Sequence, residues 1–140
     1  VAQKIRSYCS SVETEAVPSL DVLRQRINVN DGKIHFGLIS GPCRTAWTVT
    51  SGRYSLGASI IQACIDSLLE EGRTNVDYIH GAEVTERIAS EEGNTGIIMS
   101  EISKETFFDD IIKDGAFPRK TFSIGHAEEK RYYMEGRRIR

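Results

Sequence analysis

Residues 33–40 read KIHFGLIS and residues 46–50 read AWTVT. In the first segment Ile34, Phe36 and Leu38 alternate with His35, Gly37 and Ile39, the period-two pattern of a β-strand. Gly41-Pro42 breaks that run, so the second segment reads as the return strand of a hairpin. The first segment is the cleanest strand pattern in the chain. His35 falls on the face opposite Ile34 and Phe36. With no nearby cysteine, histidine or acidic partner, it is read as a solvent-facing strand residue.

Upstream of the hairpin, Asn30-Asp31-Gly32 marks a helix end or tight turn. Pro18-Ser19 opens a helix on which Leu20, Leu23 and Ile27 share a face that Val22 extends. Ser11–Val17 (SVETEAV) alternates weakly as a strand, and Val1–Tyr8 reads as a short helix. Downstream, a helix from Ser55 to Glu71 carries a broad apolar stripe of Ile60, Ile61, Cys64, Ile65, Leu68 and Leu69, stopped by Gly72. Its start lacks the GxxxxGK[ST] pattern of a phosphate loop, and a plainly capped helix is the simpler reading.

A regular alternation follows: a strand at Asn75–His80, a helix at Ala82–Glu92, a strand at Thr95–Ile102, and a helix opened by Ser103, buried by Phe107, Phe108, Ile111 and Ile112, and ended by Gly115. Arg119–Ile124 (RKTFSI) alternates as a further strand. Glu128–Arg140 admits either a strand or a helix; the strand is preferred, because Gly136 disfavours a helix interior by about 1 kcal/mol against alanine. The expected fold is an α/β single domain over residues 1–140, with a mixed sheet in which a β-hairpin is followed by βαβα units containing parallel strands.

The chain has 140 residues, 39% hydrophobic and 27% charged, an ordinary globular composition for one domain. No apolar run approaches the roughly 18 residues of a membrane span, and the start, VAQKIRSYCSS, has no signal-peptide apolar core. It opens on Val rather than Met, from which we expect a piece of a longer protein. Cys9, Cys43 and Cys64 are odd in number and lack metal-ligand spacing, so reduced thiols, a cytoplasmic location and no metal are expected. The net charge of −2 is unevenly spread. Residues 119–140 hold seven basic and three acidic side chains, a balance of +4 that leaves −6 on the preceding residues. The basic end could meet an anion or pair with the chain's own acidic body, and the second reading is preferred.

Candidate chemistry is sparse. His80-Gly81 follows an expected strand and precedes a helix, the edge at which ligands gather in open α/β sheets. His80 there could act as acid, base or phosphate contact, or simply hydrogen-bond the loop. Were residues 119–140 a hairpin, Arg119, Lys120, Ser123, His126, Lys130 and Arg131 would gather near its turn. Charged donors with a hydroxyl and an imidazole suit phosphate or carboxylate, and Tyr132 and Tyr133 could stack on a base. The plainer reading is a solvated, charge-protected sheet edge. No nucleophile–base pair is legible, so no reaction and no cofactor is assigned.

The segments IHFGLIS, VDYIHG, GIIMSEISKETFFDDIIKDGAFPRKTFSIG and EEKRYYMEGRRI resemble the carboxyl-terminal part of a bacterial family, domain of unknown function 1015, some of whose members are labelled ParB-like. The resemblance runs from about Val17 onward and is most specific over Pro118–Ile139. Family members are longer. Their amino-terminal part carries an Asp-Gly-His-His-Arg-type motif associated, in a broader group, with nucleotide binding. This chain has no such motif, so no catalytic residue transfers. The resemblance implies an accessory or interaction domain that packs against an amino-terminal domain of the same protein. An enzyme part that binds nucleotide or a phosphorylated small molecule is the alternative. The ParB-like label raises nucleic acid as a further partner, which the acidic body disfavours.

Overall fold

The hairpin forms, and it is the centre of the sheet. In the computed structural model of the chain, which describes residues 1–72, 74–101 and 112, strand β2 (Ile34–Ser40) pairs antiparallel with β3 (Cys43–Thr50) through a two-residue Gly41-Pro42 turn. Gly41 has φ +55, the left-handed backbone that such tight hairpin turns require. On either side, β1 (Ser11–Ala16) joins β3 and β4 (Gly96–Met99) joins β2, giving the order β1-β3-β2-β4.

Helices cover both faces. Short α1 (Ala2–Arg6) and long α3 (Gly57–Glu70) lie on the side of Phe36, Trp47 and Val49. There Ile5, Ile60, Ile61, Cys64 and Leu68 complete a core, and the rings of Phe36 and Trp47 stack with centroids 5.7 Å apart. On the other side α2 (Leu20–Ile27) and α4 (Ala82–Ala89) bring Leu20, Leu23, Ile27 and Ala89 onto Ile39, Ala46 and Ile98. Ser19 caps α2, its hydroxyl accepting from the Val22 N–H. Arg44 bonds Glu86 and Arg24 bonds Glu83, tying α4 to β3 and to α2.

The molecule is therefore α/β, as expected, with helices about a four-stranded sheet. The expected parallel strands are not found among the described residues: all three pairings are antiparallel. The reason lies in Asn75–His80, where the expected strand does not form. Without it, the expected βαβ unit through α4 to β4 has no first strand, and β4 pairs only antiparallel with β2 among the described residues. Tyr78 instead donates its hydroxyl to Gln62 on α3, at 3.0 Å. The expected elements beyond Ile102 lie outside the described residues.

His35 is a second correction. It is buried, 6% exposed, not solvent-facing. A central strand between two helical layers has no solvated face, and the alternation of β2 separates two cores rather than core from water.

Candidate functional site

Beside α2 the sheet is left partly open. The helix packs on β2 and β3 and stops at Ile27, leaving β1 uncovered at the sheet edge. A groove of about 300 Å³ runs there, lined by side chains of Glu13, Glu15, Arg26, Asp31, His35 and Thr48. The strand registers explain the grouping. Glu13 lies opposite Thr48, and Thr48 opposite His35, so one row across three strands points into the groove.

At its floor the polar groups form a chain. The Asp31 carboxylate bonds His35 Nε2 at 2.7 Å, and His35 Nδ1 bonds Thr48 Oγ1 at 3.1 Å. Asp31 also accepts the Lys33 backbone N–H at 2.9 Å. The bond from His35 first, and the Lys33 N–H second, hold the Asp31 carboxyl below the usual aspartate range. An ionised Asp31 only accepts, so Nε2 carries the ring proton toward it. In the neutral ring Nδ1 then accepts from the Thr48 hydroxyl. Such a chain can pass hydrogen-bond polarity, or a proton, between the exposed Asp31 and the half-buried Thr48.

The walls are charged. Glu15 pairs with Arg26 at 3.1 Å and Glu13 with Lys33 at 3.8 Å, all four side chains being at least 44% exposed. With Asp31 counted, carboxylates outnumber bases here. That polarity disfavours a phosphate at this place.

β1 itself is the outermost described strand on this side, exposed at five of its six residues. The bond from Val17 N–H to Arg44 C=O, 2.9 Å, fixes the phase of the ladder. In an antiparallel pair hydrogen-bonded and non-bonded positions alternate. Glu13 and Glu15 thus turn their backbone groups to β3, while Val12, Thr14 and Ala16 turn theirs outward.

No family model matches the chain, and no curated protein or solved structure matches it.

Of the residues singled out from the sequence, Arg119, Lys120, Ser123, His126, Lys130 and Arg131 lie outside the described residues. His80 is described. It is exposed on the turn into α4, ahead of Gly81 with φ +98, and does not line the groove. The expected strand that would have placed it at a sheet edge is absent. The sequence reading missed the Asp31–His35 pair. The available signal was an acid four residues before a strand histidine, across a glycine turn that folds the two together.

Proposed function

We propose that the chain is an accessory, interaction-mediating α/β domain of a larger cytosolic bacterial protein, related to the family of unknown function 1015, and that its contact surface is β1 with the adjoining groove. One observation carries the reading: β1 is six residues long, exposed at all but Val12, and at the sheet edge among the described residues, so its outward backbone groups at Val12, Thr14 and Ala16 offer a template for another extended segment. The three free thiols, Cys9, Cys43 and Cys64, fit a reducing compartment.

The test is a randomised library of extended peptides selected on the full chain, with binders mapped by amide exchange. Expected binders slow exchange at Val12, Thr14 and Ala16, and Thr14→Pro abolishes the binding while the fold is kept. Binders that protect other elements, or that bind the proline variant equally, would sink the reading.

A second reading rests on the Asp31–His35–Thr48 chain, an arrangement suited to handling a proton of a small polar molecule held in the groove. It supports the enzyme alternative without naming a substrate. Small-molecule binders that shift the His35 ring resonances in wild type, and bind His35→Gln more weakly, would favour it over the docking reading.

A further inference from the structure

Glu13 and Glu15 project from β1 on the groove side, with Asp31 beside them, and among the described residues Arg26 and Lys33 answer the charge of the two glutamates. This pattern discriminates among strands that could add to the edge. A second copy of β1, paired antiparallel about Thr14, would set each Glu13 against the other copy's Glu15, and like charges directly opposite repel. An added segment rich in lysine and arginine is attracted instead. The existing pairs are exposed and loosely held, so an incoming base can share or replace Arg26 and Lys33 at little cost.

The chain supplies such a segment. Residues 119–140 carry +4 against −6 on the rest. The described chain leaves β4 at Glu101, whose N–H donates to Asn28 Oδ1 at 3.0 Å. Asn28 caps α2 next to Val29 at the groove's rim. Seventeen residues lie between Glu101 and Arg119, eighteen steps along the chain. Even wound as a helix they reach about 27 Å, whereas crossing from β4 to β1 takes three strand spacings of about 4.8 Å each. Reach therefore sets no obstacle.

Resting on the interaction reading above, we propose that the chain's own basic segment, Arg119–Arg140, docks on β1 and its acidic groove, and that an external partner must displace it. The domain then carries a built-in competitor for its own contact surface. High salt or a more basic partner segment releases it, because the attraction is between exposed charges.

The test uses the full chain at low concentration with a zero-length carbodiimide, which joins carboxylates to lysine amines in contact. Glu13–Lys33 provides an internal control, being already within 3.8 Å. The expected result is intramolecular links from Glu13 or Glu15 to Lys120 or Lys130. In parallel, amide exchange at Val12, Thr14 and Ala16 is compared with the variant Arg119→Glu/Lys120→Glu/Lys130→Glu/Arg131→Glu. We expect at least tenfold faster exchange at those three amides, with Phe36 and Trp47 unchanged as a check on the fold. Links confined to other carboxylates, links only between chains, or unchanged exchange in the folded variant overturn the proposal. The wild-type cross-link map decides alone if the variant fails to fold. If the basic segment proves absent from β1 while library peptides still protect it, the interaction reading stands and only the competitor is lost. If neither protects β1, both readings fall.

Discussion

Asp31 Oδ1 and His35 Nε2 stand 2.7 Å apart, with only a glycine turn and the first residue of β2 between the two residues in sequence. The bond fastens the loop after α2 to the central strand. It also sets the tautomer of a ring that is 6% exposed, which in turn assigns the Thr48 hydroxyl its role as donor.

Replacing Thr48 with Val tests that assignment. Valine keeps the shape and the strand preference but removes the hydroxyl that bonds His35 Nδ1. A buried acceptor left without a donor costs about 1–3 kcal/mol. Because the groove admits water near Thr48, the lower end, about 1 kcal/mol, is expected in urea denaturation. A neutral or stabilising outcome would mean that water in the groove replaces the Thr48 hydroxyl at Nδ1.

The depressed pKa of Asp31 has a consequence in acid. A carboxyl whose folded pKa lies below its unfolded value, about 3.9, stabilises the fold fully above that unfolded value. The contribution disappears as pH falls through the folded pKa, where both states are protonated. The difference in midpoint temperature between wild type and Asp31→Asn should therefore shrink as pH falls below about 4. A difference that persists undiminished after the carboxyl is fully protonated contradicts the pairing.

The phase of β1 is open to a paired proline substitution. Thr14 turns its N–H outward, so Thr14→Pro leaves the ladder to β3 intact, as edge-strand prolines do. Glu15 turns its N–H toward Ala46. Glu15→Pro removes that bond and sets a ring against the neighbouring strand, with an expected cost of about 1–3 kcal/mol. Chemical denaturation of the two variants side by side checks the order. Equal losses would mean that β1 is paired on its outer side as well.

The elements most legible in the sequence were those with one strong period. The stripe of Ile60, Ile61, Cys64 and Leu68 gave α3, and Leu20, Leu23 and Ile27 gave α2, because a helix against a sheet needs one apolar face. β2 was placed correctly but its environment was not. Ile34, Phe36 and Leu38 announce one core, while the second is announced only by Ile39 and by Gly37, whose missing side chain admits Leu23. Asn75–His80 alternates like a strand, yet alternation specifies a face and not a neighbour, and Tyr78 there bonds Gln62 on α3 instead. The groove was illegible for a related reason. It depends on register between β1, β3 and β2, which brings Glu13, Thr48 and His35 into one row from three separate stretches of chain.

Two glycines record how closely the outer helices approach the sheet, and they should respond differently to alanine. A Cβ on Gly96 would lie 2.8 Å from the Ala89 Cβ and 3.0 Å from Thr85 Cγ2, with the Thr85 carbonyl behind them. Neither the alanine methyl nor the backbone can rotate away, so α4 itself must shift. Overpacking of this kind costs about 1–3 kcal/mol. A Cβ on Gly37 would meet the Leu23 side chain, at 2.8 Å from one methyl and 3.0 Å from the other. That clash belongs to one removable side chain. Leu23→Ala alone should cost about 2–5 kcal/mol by opening a cavity. In that background Gly37→Ala fills part of the space it would otherwise overfill. A double-mutant cycle by denaturation should give a favourable coupling within the usual range of about 0.5–3 kcal/mol. Additive losses would mean that α2 does not rest on Gly37, and the packing of the groove-side layer would need to be redrawn.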